Sequence, residues 1–326
     1  MTDARTILNV ALRPVAGSRF QPTGFPDLGA AEFDAPGQDG RSLLVESVQS
    51  MANRLEEQAW DAVANAPRAP FDRLPWVRVS HAEDARFLTS SRIEAHRLAS
   101  AYIRHGQLPD GTPGMDFLHD ALGLQPGRPL DRVQLTRAVF RLDPFSLLHG
   151  VFFAISAWPW QPRVQRAVTA FIEAHNVRPA VSGGVKRELV RNKNEAGTDD
   201  EPSPGADTGY GSIPHQRIEY TAETILLSVV IDKQQFRSYG LSPEATELLH
   251  TLAQWELRSL LNSGLRLRTA CDLITAETID LPDLDELTAR IDKLVDVTAD
   301  EHGGTTHDIT WTSASAKTQM KRDKSK

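Results

Sequence analysis

Alternation of apolar and polar residues opens the chain. Between Thr6 and Pro14, Ile7, Val10 and Leu12 stand against Asn9 and Arg13, which predicts a first β-strand leading into a Gly/Pro-punctuated loop over Gly17–Gly29. Residues 42–65 read as a helix, because Val48, Met51, Leu55, Ala59 and Ala62 recur three or four apart while Gln49, Asn53 and Glu56 fall off that face. Pro67 and Pro70 close it. Trp76–Val79 reads as a short strand. A helix follows from about Ile93 to His105, with Arg92, Arg97 and Arg104 on its surface. After a Gly/Pro-rich link, Leu135–Leu142 and Leu148–Ala157 read as core strands. Pro162–Val177 reads as a core helix burying Val164, Val168, Phe171 and Ile172. Thr224–Ile231 is a β-branched strand. Pro243–Ser263 is a helix with Leu248, Leu249, Leu252, Trp255 and Leu260 inward, stopped at Gly264.

This order suits an α+β chain with an elaborated ferredoxin-like or RRM-like core, although periodicity alone does not separate it from other α+β folds. One tract interrupts the pattern. Residues 191–212 contain no Ile, Leu, Val, Phe or Met, so burial cannot offset the entropy of ordering them, and a mobile loop is expected.

Composition narrows the class. The 326 residues, 40% hydrophobic and 24% charged, can bury a full core. A single cysteine, Cys271, excludes an internal disulfide framework and suits a reducing cytosol. Met1–Thr6 lacks a basic region followed by an apolar run, and the most apolar stretch, Leu147–Trp160, is too short to span a bilayer. A soluble cytoplasmic protein with no membrane partner is therefore expected. The net charge of −7 argues against a nucleic-acid partner until its distribution is read. Residues 277–302 carry nine acids and two bases, and 195–207 carry five acids and no base. The tail 317–326 is basic, so the body is near neutral and has room for a local basic groove.

Enzyme motifs are mostly absent. There is no phosphate loop, His-Glu-x-x-His, Cys-x-x-Cys or Gly-x-Ser-x-Gly pattern. His302 and His307 lack a third ligand, and Asp199, Asp200 and Glu201 read as a solvated charge run. The residues that stand out are of another kind. The Gly17–Gly29 loop carries Arg19, Phe20, Gln21 and Phe25, and the next helix offers Gln49, Ser50, Asn53 and Arg54. Arginines, amides and aromatic faces on a rigid loop suit a single-stranded polynucleotide. A capped turn with two aromatics in the core, and a solvated helix face, are the alternatives. Lys186 and Arg187 follow Gly183 and Gly184, which suits either phosphate binding or a basic strand end. Arg266 and Arg268 alternate with Leu265 and Leu267, which puts both arginines on one strand face about 7 Å apart. That spacing suits successive phosphates, and intersubunit salt bridges are the competitor. His215, after Pro214, is placed for RNA contact, whereas His149 lies in an apolar run and reads as a core histidine.

Six segments together resemble a known family. They are Gly17–Gly29 (GSRFQPTGFPDLG), Leu43–Glu56 (LLVESVQSMANRLE), Leu147–Phe152 (LLHGVF), Ser182–Glu188 (SGGVKRE), Ile213–Glu223 (IPHQRIEYTAE) and Gly264–Leu273 (GLRLRTACDL). The chain resembles, from about residue 6 to 275, the backbone subunit of type I-G (formerly I-U) CRISPR Cascade complexes, a RAMP protein of the Cas-seven superfamily. The resemblance implies an RRM-like palm over residues 1–276, with finger and web elements in about 68–130 and a thumb-type loop in about 191–212. An acidic extension (277–313) and a basic disordered tail (314–326) would follow. It implies copies assembling head-to-tail along a CRISPR guide RNA whose bases stay free to pair with target DNA. The large Cascade subunit and a fused guide-processing and end-binding subunit would be further partners. No cofactor or metal and no catalysis are implied, and the thirteen residues from Arg19 to Arg268 named above as nucleic-acid candidates would hold the guide. An alternative on the same fold is a metal-independent RAMP endoribonuclease that cuts precursor RNA, using His149 or His215 with a nearby Lys or Arg.

Overall fold

Strand β1 (Arg5–Pro14) lies inside an eight-stranded sheet in the computed structural model, which describes residues 4–25, 29–37, 39–187, 212–304 and 306–313. Along the chain follow β2 (Glu32–Asp34), β3 (Arg41–Glu46), α1 (Val48–Gln58), β4 (Trp76–His81) and β5 (Phe87–Ser90). Helices α2 (Ala101–His105), α3 (Gly114–Leu122), α4 (Arg132–Leu142) and α5 (Phe145–His149) precede the short strands β6 (Val151–Phe152) and β7 (Arg163–Val164). The long β8 (Val168–Arg187), β9 (Ser212–Thr221) and β10 (Thr224–Asp232) are followed by α6 (Lys233–Ser238) and α7 (Pro243–Ser263). Finally come β11 (Leu265–Arg268), β12 (Cys271–Thr275), α8 (Leu284–Val297) and β13 (Thr306–Trp311).

The sheet runs β11-β12-β1-β10-β8-β3-β2, and every neighbouring pair is antiparallel. Its middle is β12-β1-β10-β8, with α1 and α7 packed against each other. Read as β1, α1, β8, β10, α7 and β12, these elements form a βαββαβ unit with strand order 4-1-3-2, the ferredoxin-like arrangement. The fold is therefore α+β with large insertions, as the pattern of the sequence implies.

Several elements differ from their expected form. Leu135–Leu142 is helix, not strand: Asp131 caps it by accepting from the Val133 and Gln134 amides at 2.9 and 3.0 Å, and Leu135, Val139 and Phe140 lie inward. The expected helix at Pro162–Val177 is instead β7 and the first half of β8. Val168, Ala170, Ile172 and Ala174 alternate inward, leaving Phe171 only half-buried on the other face. Val168 and Ile172 satisfy both a period of four and a period of two, and pairing with β10 and β3 selects the second. Leu148–Ala157 is likewise the end of α5, two residues of β6 and turns. The helix expected over 42–65 splits at Ser47, whose hydroxyl caps α1, so residues 41–46 pair as strand β3.

The stretch Ile93–His105 forms turns, a 3-10 turn at Arg97–Ala99 and the short α2. Arg92 and Arg97, expected at the surface, are buried at 4% exposure each. The acidic segment after residue 276 is no separate appendage. Leu287, Ile291 and Val295 of α8 are buried, each worth about 2 kcal/mol, and β13 pairs in parallel with β4. The loop expected at 191–212 and the tail 314–326 lie outside the described residues, except Ser212, which opens β9, and Arg187, which ends β8, borders the same gap.

The buried arginines explain how the insertion is held. Arg97 makes paired bonds of 2.6 Å to both carboxylate oxygens of Glu56 on α1, and its Nη1 donates to the Gly150 carbonyl at 2.9 Å. Gly150 has φ +80°, and a Cβ there would stand 2.9 Å from the Arg166 amide nitrogen, so only glycine fits. Arg92 Nε lies 2.9 Å from Asp143, close enough for an ion pair but off the direction of a hydrogen bond. Its guanidinium stacks 3.7 Å over Phe145. Beside them His149 Nε2 lies 2.9 Å from Glu256 of α7, both fully enclosed.

Burial pushes His149 down to about 4 and raises Glu256 well above the usual carboxylate range, so it favours the uncharged form of both partners. The depressed histidine favours the folded state above about pH 6.5, and that contribution is lost as pH falls towards 4. The raised carboxyl acts in the opposite direction: its contribution is full below about 4.5 and is lost as pH rises towards its folded value. Glu256→Gln is therefore expected to melt at a higher temperature than wild type by a margin that widens from pH 5 to pH 8. Melting curves across that range check it, and a margin independent of pH would show Glu256 to be ionised.

Candidate nucleic-acid interface

Strand β1 delivers the chain to the Gly17 turn, where φ is +68° and glycine is the residue that takes that conformation without strain. The following loop is tied down at both sides. Phe20 exchanges main-chain hydrogen bonds of 2.9 and 2.8 Å with Tyr220, and the Gln21 amide donates to the Ala270 carbonyl at 2.7 Å. Phe20 itself is a core residue at 1% exposure, so it has no face for a base to stack on. Phe25 lies in a two-residue strand paired with Gly29–Ala30, and its side chain is outside the described residues. Arg19 is exposed and pairs with Glu219 at 3.2 Å. Beside the loop lies a hollow of about 280 Å³, lined by Ser18, Arg19, Thr269 and Asp272 among others.

A residue that the sequence reading passed over organises the next shell. Glu46 ends β3 with 2% exposure, and Ser50, Arg54 and Arg268 all donate to its carboxylate. Arg54 also reaches the Leu267 carbonyl at 2.7 Å, and Arg268 the Gln21 carbonyl at 2.9 Å. Thus Gln21, Ser50, Arg54 and Arg268, far apart in sequence, meet around one buried acid. The signal was the single carboxylate closing the apolar run Leu43–Val45, where an unpaired charge would be costly. Two guanidiniums against one carboxylate leave the cluster net positive. Gln49 and Asn53 sit on the exposed side of α1, joined at 3.1 Å, with Arg166 donating to Gln49 at 2.8 Å. Arg266 is exposed on β11, opposite Asp272 in register, with no ion pair among the described residues. The alternation expected there is present: Leu265 and Leu267 are buried.

Above this cluster β8 leaves the main sheet. Its second half pairs only with β9 over the ten positions Arg178–Arg187, a two-stranded ribbon of roughly 30 Å. Register places Lys186 opposite Ile213, Arg187 opposite Ser212 and His215 opposite Gly184 near its far end; their side chains lie outside the described residues. The other histidines considered are engaged. His149 is sealed in the core and cannot reach an RNA backbone. His302 uses Nδ1 to accept from the Gly304 amide at 2.8 Å and Nε2 to donate to the Val295 carbonyl at 3.0 Å. Among the described residues no group of three His, Cys, Asp or Glu could hold a metal, and no helix is long and apolar enough to cross a membrane.

Because Glu46 is enclosed and its arginines are only about a quarter exposed, the cluster is a unit. Glu46→Ala is expected to destabilise the fold by about 2–4 kcal/mol, since it strands two half-buried guanidiniums. Urea unfolding checks it, and a cost below about 0.5 kcal/mol would mean that solvent already satisfies both arginines.

Three comparisons with known proteins differ in what they show of the chain's kinship. No curated protein matches it. A solved chain titled "CRISPR RNA-guided surveillance complex, pre-nicking" aligns over 98% of this chain and 100% of its own, with 13% identity and a TM-score of 0.40, too low a score to bear on fold or function. The family model described as CRISPR-associated protein GSU0053 matches residues 7–179, more than half of the sequence. The matched span holds the Gly17 loop, Glu46 and α1, the part of the interface where most of the candidate residues meet, and the chain belongs to this CRISPR-associated family.

Proposed function

We propose that the protein is the non-catalytic backbone subunit of a type I-G CRISPR Cascade, holding guide RNA by its phosphates. The observation that carries this reading is the convergence of Gln21, Gln49, Asn53, Arg54, Arg266 and Arg268 beside the Gly17 loop, at the foot of a ribbon bearing Lys186, Arg187 and His215. Membership of a CRISPR-associated family supports it. In this reading Arg54 and Arg268 act as a pair held by Glu46, which fixes their positions and leaves one net positive charge for phosphate. Arg266 and Arg19 face solvent and supply further contacts, while amide groups on α1 reach sugar and phosphate oxygens. Bases then stay free to pair with target DNA, so that pairing reads sequence and protein reads backbone. Successive copies pack head-to-tail along the guide, the ribbon of each lying across RNA held by its neighbour, and the large subunit and the fused guide-processing and end-binding subunit complete the assembly.

Expression with a matching CRISPR array is expected to yield a large RNA-loaded species that protects guide fragments from nuclease. An RNA-free monomer, even with the other subunits present, would overturn the reading. Arg266→Gln is expected to leave the melting temperature unchanged and to reduce the log–log salt dependence of guide binding by about 0.7, the loss of one phosphate contact. An unchanged slope would remove Arg266 from the interface.

A further inference from the structure

A second groove, of about 1520 Å³, lies at the opposite end of the sheet. Its walls include Arg5 and Thr6 at the start of β1, Trp160 and Arg163 before β8, and Arg132 at the start of α4. The ten residues of β1 separate it from the Gly17 loop by about 30 Å, so the two surfaces are distinct.

The chemistry of its lining is selective. Three arginines face one acid, Asp232, which already pairs with Arg5 at 3.4 Å. Arg132 and Arg163 have no carboxylate partner among the described residues, and both are exposed. Trp160 is 57% exposed, although an indole of that size is ordinarily buried. It is held outward by construction. Trp160 and Gln161 both have positive φ, +65° and +42°, conformations that non-glycine residues rarely adopt. The same turn is anchored by Phe153 and Trp158, buried against each other with ring centroids 4.9 Å apart. Beside it Phe152 is 47% exposed and lies directly across from Arg163 in the β6–β7 pair, with the guanidinium 5.1 Å from the ring centroid. The exposed indole of Trp160 and two guanidiniums without a carboxylate partner among the described residues thus share one open trough, with Phe152 flanking Arg163 at its edge.

We infer that this groove binds a single-stranded nucleic acid, with Trp160 stacking on a base and Arg132 and Arg163 pairing with phosphates. Stacking on an indole is tolerant of sequence, and the two guanidiniums supply attraction that falls with salt, so the site takes a strand by its backbone and base faces. An exposed indole set beside cations that have no carboxylate partner among the described residues favours a polynucleotide over a polypeptide. The inference does not require the guide-binding reading, because none of its residues belongs to the Glu46 cluster.

The test uses the full chain, both free and loaded with guide RNA, and fluorescein-labelled oligo(dT) and oligo(U) of about 20 nucleotides, followed by anisotropy across a salt series. Trp160→Ala is expected to weaken binding about fivefold or more, the loss of one stacked base. The double variant Arg132→Gln/Arg163→Gln is expected to reduce the log–log salt slope by about 1.4, two phosphate contacts on a single strand. Both effects should persist when guide RNA fills the other surface, and the preference between the two oligonucleotides tells whether the groove serves RNA or DNA. Unchanged affinity and slope in both variants would overturn the inference. So would variants that bind both oligonucleotides as wild type does but lose self-association in sedimentation, which would make the groove a contact between copies. Failure to recover guide RNA from cells while both oligonucleotides still bind would instead overturn the guide-binding proposal alone.

Discussion

Glu56 can be buried in α1 only because Arg97 arrives from the inserted segment to neutralise it, and much of the architecture follows from that pairing. An unpaired charge in this position would be costly, so helix and insertion must be placed together. The arginine carries the constraint onward. Its third donor holds the Gly150 carbonyl, the neighbouring His149 carbonyl accepts from Arg166 at 3.2 Å, and Arg166 in turn reaches Gln49 on the outer side of α1. A chain of directional bonds therefore runs from a buried charge of α1 to a side chain of the candidate interface. Such a path makes the interface rigid without relying on the loop alone.

The same logic recurs at Glu46 on a smaller scale. There a buried acid takes two arginines that would otherwise be free, and what reaches solvent is the remainder of the charge. Between them, Glu46 and Glu56 set the two ends of α1, one facing the Gly17 loop and one facing the insertion. Strand β1 acts as the spacer of the molecule: the Glu46 cluster and the ribbon lie beyond its C-terminal end, and the Trp160 groove beyond its N-terminal end. Separation of about 30 Å along β1 gives the two surfaces independent chemistry within one core.

Some of this was legible in the chain. Strand β1, the β-branched β10 and helix α7 each satisfy one period over enough residues to exclude the other, and α7 begins and ends at the Pro243 and Gly264 signals. The residue types around the Gly17 loop and α1 also marked the region where Gln21, Arg54 and Arg268 meet. The middle of the chain was ambiguous for a physical reason. Val168 and Ile172 fit a helix or a strand, and Leu135–Leu142 mixes β-branched residues with a helical face, so only their partners decide.

Sequence alone thus determined the class of the fold, the near-neutral body beneath an acidic net charge, and the composition of the candidate nucleic-acid interface. Tertiary structure decided which residues are available to bind. Phe20 turned inward, Arg92 and Arg97 became internal counter-ions, and Arg54 and Arg268 were drawn to Glu46. Trp160, which no motif singled out, was turned to solvent. Local periodicity records which face of an element is apolar. It does not record which charge, up to 222 positions away in the case of Glu46 and Arg268, will be folded against it.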